Sequence, residues 1–139
     1  MTVFLDACVL IYRFEGHPNF KQSADDLIVH LTQDQTAPAL AVSRLTLLEC
    51  RVKPLRERNQ VLLQRYDDFF RAVRVQELSA AVVGMATEIR ARYGLKTPDA
   101  LQAASALTLE QPVVFVTGDQ VFERVPGLDV RLIGTRVTR

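Results

Sequence analysis

Two short runs, Thr2–Leu5 and Val113–Val116, lack the polar alternation of a strand that faces water on one side. A strand with apolar side chains throughout must be covered on both faces, which is the condition of a parallel sheet sandwiched between helices. Between and after these runs the hydrophobic period lengthens. Ala24, Leu27, Ile28 and Leu31 fall on one face of a helix over about 20–33. Leu62, Tyr66 and Phe69 stripe another over about 56–70, and Val82, Ala86, Ile89 and Tyr93 a third.

The punctuation agrees with this alternation. Residues 8–14 leave the first strand as a short helix, and Gly16, Pro18 and Asn19 mark a break. Pro38 opens a short second strand, since proline is tolerated at the first position of a strand. Ser43 is placed to cap a helix that Pro54 ends. Residues 72–76 read as a short alternating strand. Glu77 or Ser79 begins the next helix, and Gly94 ends it in a left-handed cap. Thr97 as N-cap, Pro98 as N1 and Asp99 as N2 start a helix that runs to about 110. Asp119 caps a short helix containing Phe122, Val130–Ile133 form the last strand, and the tail from Thr135 is polar. Strands alternating with helices predict an α/β/α sandwich, three layers around a central parallel sheet of four or five strands. At 139 residues the chain has room for one such domain.

Composition excludes several classes. With 48% hydrophobic and 24% charged residues, the chain is an ordinary globular protein and not a disordered one. No apolar run is long enough for a membrane span, and no signal-type segment opens the chain, so the cytosol is expected. Cys8 and Cys50 make no disulfide framework and read as small buried hydrophobes. There is no Gly-rich phosphate loop with Lys and Ser/Thr, no HExxH, no CxxC and no G-x-S-x-G elbow. Fourteen of the 17 basic residues are Arg, and Arg44, Arg51, Arg56 and Arg58 cluster. Arginine suits bidentate phosphate contacts, so these four are candidates for nucleic-acid backbone recognition, against the plainer reading of a solvated face.

Four acids stand where apolar segments end or helices begin: Asp6 in VFLDAC, Glu49 in LTLLEC, Asp99 in LKTPDA and Asp119 in VFVTGD. In parallel sheets ligands bind beyond the carboxyl ends of the strands, where Asp6 and Asp119 lie. Each acid also has a structural reading, as a turn former, a helix cap or a surface carboxylate. If the four gather, mutual repulsion requires protonation or a cation. An all-oxygen cluster without His or thiolate partners favours Mg2+ or Mn2+, ions suited to phosphate-ester chemistry. Thr117 could hydrogen-bond a metal-ligating carboxylate or water from behind, and is equally a good strand-end residue.

These stretches also carry a resemblance. VFLDACVLIY at 3–12, VSRLTLLECRV at 42–52, LKTPDALQAASAL at 95–107 and VFVTGDQVF at 114–122 together resemble the PIN-domain ribonucleases, in particular the VapC-like toxins of bacterial type II toxin–antitoxin pairs. The resemblance implies that Asp6, Glu49, Asp99 and Asp119 surround Mg2+ or Mn2+ in an endoribonuclease that leaves a 3′-hydroxyl and a 5′-phosphate. It implies an RNA substrate, a homodimer and a small antitoxin partner, with DNA contacted only through that antitoxin. Two positions depart from the pattern. Cys8 stands where many relatives carry Ser or Thr, which weakens the donor beside Asp6, and Gly118 replaces a frequent Asn. A metal-dependent phosphatase for a small ester, a non-catalytic interaction protein and a flap-type DNA nuclease are the competing readings.

Overall fold

The structure, a computed structural model, describes residues 1–16, 18–33 and 39–134. The expected strand start at Pro38 and the polar tail from Thr135 lie outside them. Within the described residues five strands form one sheet: β1 (Thr2–Leu5), β2 (Ala39–Ser43), β3 (Arg74–Gln76), β4 (Val113–Thr117) and β5 (Asp129–Leu132). Every pairing is parallel and the spatial order is β3-β2-β1-β4-β5.

Among the described residues six helices flank the sheet: α1 (Ala7–Glu15), α2 (Pro18–Thr32), α3 (Arg44–Arg56), α4 (Gln60–Ala72), α5 (Ala80–Tyr93) and α6 (Thr97–Leu107). Because successive side chains of a strand point to opposite faces, the central strands feed two cores. Phe4, Ala41 and Phe115 pack with Val82, Ala86 and Ile89 of α5 and the alanines of α6. Val3, Leu5, Val42, Val114 and Val116 pack on the other face with Val9, Leu10, Ala24, Tyr66 and Phe70. This explains the unbroken apolar runs of β1 and β4. Phe4 and Phe115 stack with centroids 5.5 Å apart, and Phe115 meets Phe122 at 4.6 Å. Full burial of such side chains is worth about 1.5–3 kcal/mol each.

The chain steps outward from β1 through β2 to β3, then returns to β4 on the other side of β1. The strand order therefore reverses between β1 and β4, and a crevice opens beyond their carboxyl ends. Thr2 lies beside Val113 and Leu5 beside Val116, and the Asp6 N–H bonds the Val116 carbonyl at 3.0 Å. That register brings the residues after both strands together.

Several expected boundaries move. Pro54 does not stop α3, which runs to Arg56. The chain turns only at Arg58, in left-handed conformation, where the Asn59 N–H reaches the Pro54 carbonyl at 2.9 Å. Proline has no N–H to give the Cys50 carbonyl, and the helix nevertheless continues for two residues beyond it. Thr97 does not cap α6 either. Lys96 occupies that place without a side-chain cap, because the Ala100 N–H is already bonded to the Lys96 carbonyl at 2.9 Å. Asp99 is thus the third helical residue. The helix ends at Leu107, short of residue 110.

Candidate active site

Asp6 follows β1 and caps α1, its Oδ1 accepting from the Ala7 N–H at 2.8 Å. Its Oδ2 accepts from the Thr117 hydroxyl at 2.7 Å and from the Cys8 thiol at 3.3 Å. Thr117 closes β4, is fully buried, and receives the Asp119 N–H on its oxygen at 3.1 Å. One hydroxyl thus ties the carboxylate beyond β1 to the loop beyond β4. Asp119 is exposed and caps the short 3-10 turn Gln120–Arg124, its Oδ1 accepting from Val121 N–H at 2.9 Å. Glu49, near the middle of α3, and Asp99, in the first turn of α6, are both partly buried.

The four carboxylates line one cleft of about 850 Å3, with Ala7, Cys8, Ile11, Tyr12, Gly118 and Gln120 completing its wall. The first turn of α6 therefore does reach the carboxyl edge of the sheet, which strand succession alone leaves open. A Cβ at Gly118 would sit 3.4 Å from the Tyr12 ring and 3.9 Å from the Cys8 sulfur. These are ordinary van der Waals contacts, so the wall leaves room for a Cβ at this position.

Electrostatics link the acids in series. Burial pushes the Asp6 carboxyl up to about 6, against the bonds from Thr117, Cys8 and Ala7, and the Glu49 charge adds to the rise. Burial and then the charge of Asp99 raise Glu49, although Gln102 opposes the rise. Burial and then Asp119 raise Asp99, with Lys96 opposing. Burial, reinforced by Asp6, pushes the Cys8 thiol up to about 12, so it stays protonated and donates. Among the described residues no three His, Cys, Asp or Glu side chains converge on a point as a closed ion site. The acids line an open cleft.

The arginines behave differently. None of Arg44, Arg51, Arg56 or Arg58 lines the cleft. Arg44 forms a bidentate pair with Glu77, and Arg51 pairs with Asp67 at 3.0 Å. Arg56 and Arg58 are exposed at the end of α3 and just beyond. Arg13 turns from the cleft mouth to Asp25, 3.2 Å away. Phe14 is a packing residue, edge-on to Tyr66 at 5.1 Å and to Phe69 at 5.5 Å, whereas Tyr12 faces the cleft. Cys8 and Cys50 are free thiols, and Cys50 is buried.

Sequence reasoning passed over Gln102. It lies on α6 three residues after Asp99, buried, and its amide nitrogen donates to Thr46 Oγ1 at 2.7 Å and to Glu49 Oε1 at 3.0 Å. The available signal was a lone amide among the small residues of LKTPDALQAASAL, on the helix turn that follows an acid.

No curated protein sequence matches the chain. Solved structures do. A chain of the VapBC2 complex of Rickettsia felis, bound to a DNA fragment from their promoter, is 22% identical, with TM-score 0.73 over 96% of this chain and 99% of that one. A toxin–antitoxin complex from Klebsiella pneumoniae gives 22% identity and TM-score 0.71 over 91% and 94%. VapBC-1 from nontypeable Haemophilus influenzae gives 18% and 0.71 over 95% and 98%. At these identities the likeness establishes the fold. The family model for the PIN domain matches residues 3–128, and with the sheet order and the acidic cleft in place, the chain belongs to the PIN domain family.

Proposed function

We propose that this chain is a Mg2+- or Mn2+-dependent endoribonuclease, the toxin of a toxin–antitoxin pair. One observation carries the reading: four carboxylates from four separate segments line a single cleft at the switch point of a PIN-domain sheet. The donors are all oxygens, as hard divalent cations require. An ion such as Mg2+ keeps several waters and takes one or two carboxylates directly, so the remaining acids would act through those waters. Asp6, Asp99 and Asp119 are the residues that would hold it, with Glu49 either ligating or orienting water. Bound there, the cation supplies charge neutralisation at the phosphoryl oxygens and acidifies water.

The protein's own part is positional. Thr117 and Cys8 fix Asp6 from behind, and the Asp119 loop is tied to the same hydroxyl. Water bound in this cleft would attack the phosphorus in line with the departing ribose oxygen, which would leave as a 3′-hydroxyl. No side-chain nucleophile takes part, and the Cys8 thiol remains protonated. Arg56 and Arg58, exposed beside α3, are the freer of the four candidate RNA contacts, because Arg44 and Arg51 must first leave Glu77 and Asp67.

The similar solved structures are toxin–antitoxin complexes, which supports a small antitoxin as partner. A homodimer and action in the cytosol belong to the same reading. DNA, present in the Rickettsia felis complex, would reach this chain only through the antitoxin. Among the described residues no helix is long and apolar enough to cross a membrane. The test is cleavage of an RNA panel by purified protein with Mg2+ or Mn2+, by Asp6→Asn and Asp99→Asn, and with chelator. Activity that vanishes in the variants and in chelator is expected. Undiminished turnover in both folded variants would overturn the reading.

A further inference from the structure

We propose that Gln102 is a positioning residue that clamps Glu49 at a set distance from Asp99 for cation binding, an inference that rests on the function proposed above. Asp99 and Gln102 are one turn apart on α6, and Thr46 and Glu49 are one turn apart on α3. Residues at that spacing share a helix face. The Gln102 amide nitrogen bridges the two α3 residues, 2.7 Å from Thr46 Oγ1 and 3.0 Å from Glu49 Oε1. An amide nitrogen carries two hydrogens, and this one has an acceptor for each. α6 therefore supplies one carboxylate and the grip on another, which fixes how far apart those two acids stand.

The amide orientation follows from chemistry. Reversed, its oxygen would face a carboxylate oxygen at 3.0 Å, acceptor against acceptor. In the orientation adopted, Gln102 Oε1 is buried without a hydrogen-bond partner in a side chain 1% exposed. An orphaned buried carbonyl costs stability, and an apolar side chain of similar length would avoid the cost. The gain lies in Glu49. Half-buried beside other carboxylates, it retains its charge and direction more readily with an N–H donated to it. Thr46, fully buried, keeps the amide from swinging toward the cleft.

The experiment has two arms. In the first, hydrogen exchange of the Gln102 side-chain amide is followed by NMR in metal-free protein. Slow exchange is expected in the wild type, with at least one proton about tenfold faster in Glu49→Ala. In the second, Mn2+ affinity is read by electron paramagnetic resonance, with folding checked by circular dichroism. Gln102→Met should weaken binding by about 10-fold or more, and should have no further effect in a Glu49→Ala background. Exchange indifferent to Glu49 overturns the clamp. So does Mn2+ affinity within twofold of wild type, or an equal loss with and without Glu49, which marks a merely structural role. If the wild type binds no Mn2+, the proposed function falls and the exchange arm alone decides the clamp.

Discussion

Asp6 and Glu49 face the same cleft, yet one hangs from the end of a central strand and the other from the middle of a helix. Asp6 is nearly buried and accepts three hydrogen bonds, from Ala7, Cys8 and Thr117. Its place is set by the sheet register itself, because both strands that frame it end in the same layer. Glu49 is more exposed and accepts the Gln102 amide, from a helix on a different layer. A strand-end acid comes with its scaffold, whereas a helix-borne acid must have its position imposed by a neighbour. Disturbing the Thr117 hydroxyl that holds Asp6 should therefore break chemistry and stability together, and disturbing the Glu49 side should spare the fold.

The largest effect should come from Asp6→Asn and Asp99→Asn, each lowering RNA cleavage by on the order of a thousandfold at unchanged secondary structure. Steady-state cleavage with Mn2+ measures it. An Asp6 variant as active as wild type would place the chemistry on the helix side alone. Next, Thr117→Val deletes the hydroxyl that serves both Asp6 and the Asp119 N–H. It should cost about 10- to 100-fold in activity and about 1–3 kcal/mol in stability by urea unfolding. A loss of activity without loss of stability would separate the two roles assigned to it.

The pH dependence of the metal-free protein tests the same side. The Asp6 carboxyl ordinarily titrates at 3.8 and is raised to about 6 in the fold. Between those values the folded state holds more protons than the unfolded chain, so stability falls as pH rises through the window. Unfolding in chelator at pH 5 and 7.5 should differ by on the order of 1 kcal/mol from this group, the acid side being more stable. Raised Glu49 and Asp99 act in the same sense. Asp6→Asn should flatten the slope, and an unaltered slope would place its origin elsewhere. The smallest effect is Cys8→Ser. A hydroxyl donates more strongly than a thiol, so a gain below about 1 kcal/mol is expected by thermal unfolding. A marked loss would mean that the Gly118 N–H bond to sulfur, 3.4 Å long, matters more than donation to Asp6.

Legibility followed the same division. The apolar runs disclosed β1 and β4 because burial on both faces leaves no polar position to misread. Asp6 and Asp119 were visible beside them as strand-end acids. Local rules misplaced the α3 end and the α6 cap, since both depend on which carbonyl takes a given N–H and not on residue type. The role of Gln102 did not show because its partners lie 53 and 56 positions away in sequence, on another helix. Arg44 and Arg51 looked like free phosphate contacts until α4 and the segment after β3 brought Asp67 and Glu77 to them.

By itself the sequence determined the layer architecture, the single parallel sheet and the four acids worth watching, because periodicity and strand-end position are local properties. Tertiary structure decided that α6 begins at the same edge, that one threonine binds two loops together, and that one glutamine sets the reach of Glu49. Those are distances between segments remote in sequence. Only the packing of α6 on β2 and β4, and of α3 near it, fixes them.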